Sequence, residues 1–389
     1  MLRSAAKCVL RINKIANFYG FELCDAHPFN IAFSCDTPLF LDIGSFVPIR
    51  APGAWVARQE FYECYLDSLA IAEKGYLGLF RHVFLLSGTS HEGEHGLIAS
   101  PVASFLPVKL LRKIRRLRHI YHISRSIRCE AIQKRIPNRL LARLVYASLQ
   151  SSLLPRRVMR HDRVMAKIDR YRLSQATAWA SYHQKSNYYS DSGAIKLSSR
   201  FESILALVRS LGVSSVLELA GNQGVLSSAI AAIPGVHTVI CTDYDPMAVD
   251  ALHLRLSKES KAERNSGNLI YACFDFMKDV RELLTPERSN RLKVDLVIAL
   301  AVTHHLLLGQ NYSIDAILAT MLLYSNRYLM IEFMPLGLWD GSAAPPLPSW
   351  YGQEWFESNL LRYGVILKVE QLEDNRVFYL LEKHPSIGA

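Results

Sequence analysis

The stretch Val216-Leu217-Glu218-Leu219-Ala220-Gly221-Asn222-Gln223-Gly224-Val225 constrains this chain more than any other. An apolar strand runs there into a turn with two glycines, and a helix-forming stretch follows. Gly221 and Gly224 let the backbone bend sharply and come close to a ligand, and Asn222 tolerates left-handed geometry. Nineteen residues past Gly224, a second apolar run ends in Thr242-Asp243-Tyr244-Asp245-Pro246. A carboxylate at that distance can accept both hydroxyls of a ribose, so Asp243 is the leading candidate ligand-binding residue.

The surrounding pattern repeats this strand-and-helix unit. Apolar strand-like runs fall at Ser215 to Leu219, His237 to Thr242, Leu269 to Phe274, Val294 to Ala301 and Tyr328 to Phe333, with helix-length segments between them. Such alternation predicts a parallel sheet covered by helices on both faces, with ligands beyond the carboxyl ends of the strands. The closing YGVILKVEQLEDNRVFYLLEK reads as two strands joined at Glu373-Asp374-Asn375, an antiparallel hairpin. A nicotinamide dinucleotide is disfavoured because Ser227 stands where the last glycine of G-x-G-x-x-G belongs, leaving no seat for a pyrophosphate.

ELAGNQG followed by TDYDP, FDF, DLVIALAVTHHL and LMIEFMP resembles class I S-adenosylmethionine-dependent methyltransferases, and is most similar to a bacterial group of nodulation-type host-specificity proteins. That group commonly has D-L-G-A-N-T-G in the turn; here Glu218 replaces the Asp, and Ala220 and Gly221 exchange places. The resemblance implies a Rossmann-like seven-stranded α/β sheet ending in an antiparallel hairpin, and S-adenosyl-L-methionine as cofactor. It implies that Glu218 organises the turn formed by Ala220, Gly221, Asn222 and Gly224 and meets the methionine amino group through it. Asp243 would take the ribose, Tyr244 would lie along the adenine and Asp275 would receive the adenine amine, with Phe276 and Ala299 lining the same site. WASYHQKSNYYS resembles the aromatic segment that closes over the cofactor in this group, making Trp179, Tyr182 and Tyr189 lid candidates.

Methyl transfer requires a nucleophile held about 3 Å from the sulfonium methyl and, for a hydroxyl acceptor, a base; positioning alone lowers such a barrier by about 7 to 11 kcal/mol. His304 and His305 follow the fourth strand and Glu332 ends the fifth. A histidine oriented by that carboxylate is the expected general base, with His304 slightly preferred. The Pro- and Trp-rich WDGSAAPPLPSWYGQEWF is expected to overhang the acceptor pocket.

The remainder of the 389 residues is less specific. FELCDAHPFNIAFSCDTPLFLDIGSF resembles the catalytic and metal-binding loops of aminoglycoside-phosphotransferase-like kinases, with Asp25, Asn30 and Asp42 at the base and metal-ligand positions. Only 24 residues precede Asp25, too few for a phosphate-covering lobe, so a kinase-derived scaffold is expected rather than a kinase. His91-Glu92-Gly93-Glu94-His95 fits the zincin pattern, but Gly88, Gly93 and Gly96 oppose the helix that would align the histidines; a polar loop and no metal are expected.

The formal charge of +10 is confined to one segment: Lys109 to Arg172 holds 19 Lys and Arg against three acids. This stretch reads as basic amphipathic helices, able to meet RNA, a phosphorylated glycan or an anionic membrane surface, or to act as a solvated connector. Seven scattered cysteines without a CxxC pair suit a reducing cytoplasm. No apolar run is long enough to span a membrane, and the acid-free start reads as an amphipathic helix.

Three regions are therefore expected: an N-terminal α+β region with the kinase-like hairpin (1–108), a basic helical connector with the lid (109–190), and the methyltransferase domain (191–389). The functional expectation is O-methylation of a small molecule, glycan or lipid-linked saccharide. An RNA methyltransferase is the enzymatic alternative, disfavoured because Ala301-Val302-Thr303-His304 replaces the Asn/Asp-Pro-Pro-Tyr/Phe signature; a non-catalytic scaffold is the other.

Overall fold

The computed structural model describes residues 1–34, 36–49, 55–73, 161–172, 197–258, 268–278, 292–339, 343 and 345–385. The chain divides into two compact units, Met1–Gln175 and Ala176–Ala389.

In the first unit the acid-free start forms helix α1 (Leu2–Phe18), which buries Ala5, Ala6, Val9 and Leu10 at helical spacing. Strand β1 (Phe21–Leu23) pairs antiparallel with β4 (Phe46–Pro48), and β2 (Ile31–Ser34) forms a hairpin with β3 (Thr37–Phe40). Helix α2 (Arg58–Phe61) continues through a wide turn (Tyr62–Asp67) into α3 (Ser68–Glu73). Helix α4 (His161–Arg170), the described end of the basic segment, packs with its Val164 and Ile168 in the same core as α1.

The second unit opens with α5 (Ser199–Leu211). Ser198 caps its start, accepting the Phe201 N–H at 3.3 Å, and Gly212 ends it in a left-handed conformation at φ 60°. There follow β5 (Ser215–Leu219), α6 (Val225–Ala231), β6 (Thr238–Asp243), α7 (Pro246–Leu256), β7 (Leu269–Cys273), β8 (Val294–Ala299), α8 (Ile314–Leu323), β9 (Ser325–Phe333), α9 (Gln353–Leu360), β10 (Gly364–Glu373) and β11 (Arg376–Lys383). Asp245 caps α7 through the Met247 N–H and Pro246 occupies its first turn, so the acidic end of β6 is also a helix start.

The seven strands are ordered β10-β11-β9-β8-β5-β6-β7. The five from β7 to β9 run parallel, while β11 is antiparallel to both β9 and β10. Helices on both faces leave the central strands mostly apolar: Val216, Leu217, Leu219, Leu296, Val297, Ile298 and Ala299 are fully buried. The single exception on β8, Asp295, accepts the N–H groups of Ser214 and Ser215 at 2.9 and 3.1 Å and so locks the starts of β8 and β5 together. The expected sheet and closing hairpin are present. The strand order reverses between β5 and β8, and in sheets of this kind ligands bind in the crevice at the carboxyl ends of the strands at such a switch point.

Candidate functional site

The crevice is built first from the turn after β5. Ala220, Asn222 and Gly224 have φ of 54°, 50° and 63°, so three of five residues adopt the left-handed conformation. The turn is pinned to β6: Gly221 N–H donates to the Thr242 carbonyl at 2.9 Å, and Asn222 N–H donates to Asp243 Oδ2 at 2.9 Å. A Cβ on Gly221 would lie 2.8 Å from Cys241 Sγ and 2.9 Å from Glu218 Cδ, so only glycine fits there. Exchanging Ala and Gly relative to the resembled group therefore puts the residue without a side chain where packing is tightest.

Two buried carboxyl groups flank this turn. Glu218 Oε2 accepts the Ser227 N–H at 3.0 Å and is also bonded by the Ser227 hydroxyl, which ties the strand to the start of α6. Burial pushes its pKa up to about 7, against the opposing pull of Ser227 and the Arg200 charge. Asp243 accepts Asn222 N–H on one oxygen and Asp245 N–H, at 2.8 Å, on the other. Burial raises it to about 6 despite those two donors. Each Asp243 oxygen has a second lone pair, which two ribose hydroxyls would use.

Of the other expected cofactor residues, Tyr244, next to Asp243 in sequence, is 48% exposed. Ala299 ends β8, fully buried. Asp275 accepts the N–H groups of Met277 and Lys278, both at 3.2 Å, and so shapes the turn after β7. Phe276 is buried in the main core. Trp179, Tyr182 and Tyr189 lie outside the described residues, as do the His91–His95 motif and the basic segment before His161.

The turn after β8 carries the residues expected to act on an acceptor. Glu332, expected to orient a histidine, does something else. Fully buried, it accepts from Arg200 Nε at 2.8 Å and Nη2 at 3.2 Å, from Arg376 Nη1 at 3.2 Å, and from the Ala301 N–H at 2.9 Å. Neither histidine is among its partners. Ala301 is itself left-handed, at φ 49°, so the carboxylate clamps a strained turn in place. Sequence reasoning missed Arg200 and Arg376, since nothing marks an arginine as buried before its partner is known.

His304 and His305 follow on a short helical turn, with ring centroids 4.0 Å apart. Burial pushes His304 down to about 3, helped by His305 and Arg376; His305 is lowered by burial alone. Both imidazoles are neutral at pH 7. Thr303 Oγ1 and His304 Nδ1 are buried with no hydrogen-bond partner, a state that costs about 1–3 kcal/mol per group. Beyond them, Gly337, left-handed at φ 58°, lies against Leu308 and Leu347, so the Pro- and Trp-rich segment packs on the far end of the same helical turn.

In the first unit the kinase-like residues are engaged locally. Asp25 Oδ1 accepts the His27 N–H at 2.7 Å and Asp42 Oδ1 the Gly44 N–H at 2.9 Å, each shaping its own turn. A β2–β3 hairpin is present between them; its kinase likeness rests on sequence alone.

The order β7-β6-β5-β8-β9-β11-β10, with a glycine turn after β5 and an acid ending β6, matches the sheet that the resemblance to class I S-adenosylmethionine-dependent methyltransferases implied. No protein-family model matches the chain. It is similar to nodulation protein NoeA of Rhizobium meliloti (strain 1021), at 25% identity over 347 residues, which is 86% of this chain and 66% of that protein. The chain thus spans less than two thirds of this relative's length. Among solved structures it overlaps the N-methyltransferase NodS of Bradyrhizobium japonicum WM9 bound to S-adenosyl-L-homocysteine, at 12% identity and a TM-score of 0.35 over 52% of this chain and 98% of that one. It also overlaps WbdD in complex with a kinase inhibitor, at 18% identity and a TM-score of 0.36 over 51% of this chain and 43% of that one. Among the described residues, no helix is long and apolar enough to cross a membrane.

Proposed function

We propose that the second unit binds S-adenosyl-L-methionine at the turn after β5 and transfers its methyl group to a hydroxyl of a small molecule or glycan held over the turn after β8. The observation that carries this reading is the Asn222–Asp243 hydrogen bond, which joins the glycine turn to the acid at the end of β6 in one preformed cradle. The fit to the cofactor is chemical as well as spatial. Glu218 and Asp243 are carboxyl groups raised by burial, and a ligand with a sulfonium and an ammonium offers the positive charge that would lower them again. When bound, the cofactor supplies an electrophilic methyl group.

The chain's own residues have three tasks. Asp243 orients the ribose, and Gly221, with no side chain to strike Cys241 and Glu218, lets the turn close onto β6 and hold that carboxylate in place. The clamp of Arg200, Glu332 and Arg376 fixes the turn from Ala301 to His305, so that the acceptor oxygen is held rather than merely near. His305 takes the hydroxyl proton: its imidazole is neutral and less deeply buried than that of His304, whose basicity burial has almost removed. The preference for His304 formed from sequence order alone thus passes to its neighbour.

Calorimetric titration with S-adenosyl-L-homocysteine tests the cradle: binding to the wild type and its loss in Asp243→Ala are expected, and absence of wild-type binding rejects the reading in favour of a scaffold. His305→Ala should keep ligand affinity within about twofold and lower methyl transfer by two or more powers of ten, the usual contribution of a general base. Full turnover in that variant would remove the base.

A further inference from the structure

The carboxyl groups of the crevice already accept protein donors. Glu218, Asp243 and Glu332 each hold backbone or side-chain donors, and Arg376, on Glu332, also reaches Glu373 at 2.7 Å. Against that background Thr303 Oγ1 and His304 Nδ1 stand out, two polar atoms on one turn, both buried, both unpartnered. Their residues are only 1% and 6% exposed. Buried polar groups in folded chains are paired in the great majority of cases, and a pair of exceptions side by side calls for a ligand that completes them.

The turn that carries them is not loosely placed. Glu332 fixes it at Ala301, and Leu308 secures the far end of the same helical turn against Gly337 and Leu347. A rigid turn with unsatisfied groups is preorganised for a partner, because no hydrogen bond of Thr303 Oγ1 or His304 Nδ1 has to be given up when the covering side chains move aside.

We propose that Thr303 and His304 form an acceptor-recognition subsite for an uncharged, hydroxyl-bearing compound, with Thr303 determining specificity. The proposal rests on the methyl-transfer reading of the same crevice. Three features fix the class. A threonine hydroxyl both donates and accepts, and a neutral imidazole offers one donor and one acceptor nitrogen, so the pair matches alcohol groups, which also do both. The guanidinium groups beside the turn, Arg200 and Arg376, are already engaged by Glu332, so a phosphate or carboxylate would gain no new ion pair there. A purely apolar acceptor would leave both groups as they are, which specific sites avoid.

The test uses the whole chain loaded with S-adenosyl-L-homocysteine, with methyl glucoside and maltotriose as uncharged probes and glucose 6-phosphate as the anionic one. Thr303→Val removes the hydroxyl at nearly constant shape, and Thr303→Ser keeps it. The apo Thr303→Val protein should melt at or above the wild-type temperature, since an unpaired hydroxyl has been removed from the interior. Its affinity for S-adenosyl-L-homocysteine should stay within twofold of wild type. Its affinity for the better uncharged probe should fall at least tenfold, and Thr303→Ser should restore that to within about threefold. A lower melting temperature for Thr303→Val would mean that the hydroxyl has a structural partner, and would overturn the proposal. So would equal probe affinity in wild type and variant, preference for glucose 6-phosphate, or no binding of either uncharged probe by a wild type that binds S-adenosyl-L-homocysteine. A wild type that fails to bind S-adenosyl-L-homocysteine instead overturns the methyl-transfer reading beneath it.

Discussion

Acidification should expel the cofactor, and Asp243 sets the range over which it does so. Its carboxyl is raised by burial to about 6 while its two oxygens accept the Asn222 and Asp245 N–H groups. Ribose hydroxyls must donate to the ionised form; a proton on Asp243 would sit where a donor has to go. If only the carboxylate binds, apparent affinity follows the ionised fraction, about ten elevenths at pH 7 and one eleventh at pH 5. That is roughly a tenfold loss, or ~1.4 kcal/mol. Glu218, raised to about 7, extends the slope upward between about pH 6 and 8. Isothermal titration with S-adenosyl-L-homocysteine from pH 5 to 8, in two buffers of different ionisation enthalpy, reads both the affinity and the protons released. Near pH 6 Asp243 should release about half a proton per ligand bound.

The sign for stability runs the other way in the free protein. Because the folded-state value lies above the unfolded one, ionisation costs the fold, and the apo protein loses up to about 3 kcal/mol as pH rises from about 4 through about 6. The ligand should shrink that loss by favouring the carboxylate. Asp243→Asn should weaken binding at pH 7 by at least tenfold and abolish the slope below pH 6 while leaving the part due to Glu218. A wild-type affinity that is flat from pH 8 to pH 5, or an Asp243→Asn protein that keeps the low-pH slope, would refute this account.

Other perturbations address the parts of the site separately. Gly221→Ala forces a methyl group to within 2.8 Å of Cys241 Sγ and should cost about 1–3 kcal/mol of stability in urea denaturation, with ligand affinity lost more than tenfold. Glu332→Gln removes the buried charge that Arg200 and Arg376 share, and a destabilisation of about 3–5 kcal/mol is expected; a change under about 1 kcal/mol would show that the clamp is not a charge pair. Ala301→Gly should stabilise the protein by about 1 kcal/mol in the same assay, because φ 49° strains any residue with a Cβ.

Local patterns made the sheet readable from sequence. Ser215–Leu219, Leu269–Cys273 and Val294–Ala299 are strands because they are apolar runs bounded by turn residues; the first and last are buried along most of their length, while the edge strand Leu269–Cys273 leaves Ile270 exposed. The apolar run starting at Tyr328 marks only the buried part of β9, which begins at Ser325 with the exposed Asn326 and Arg327. The turn after β5 was legible for the same reason: Gly221 and Gly224 act through backbone geometry, and Asp243 holds a fixed strand-end position. The acceptor side was not. Glu332 meets Arg200 and Arg376 at separations of 132 and 44 residues, and no spacing rule connects them. A threonine hydroxyl left without a partner has no signature in a sequence at all.

The clamp on Ala301 also bears on how the polypeptide acquires its shape during synthesis. Everything that pins the glycine bend, from Glu218 to Asp245, leaves the ribosome well before Arg376 does. The bend can therefore settle while its opposite wall still lacks one of the two guanidinium groups that hold Glu332, and also lacks β11, the neighbour that β9 needs along its outer edge. The two walls of the crevice are thus completed in sequence, the turn after β5 first and the clamp on Ala301 last.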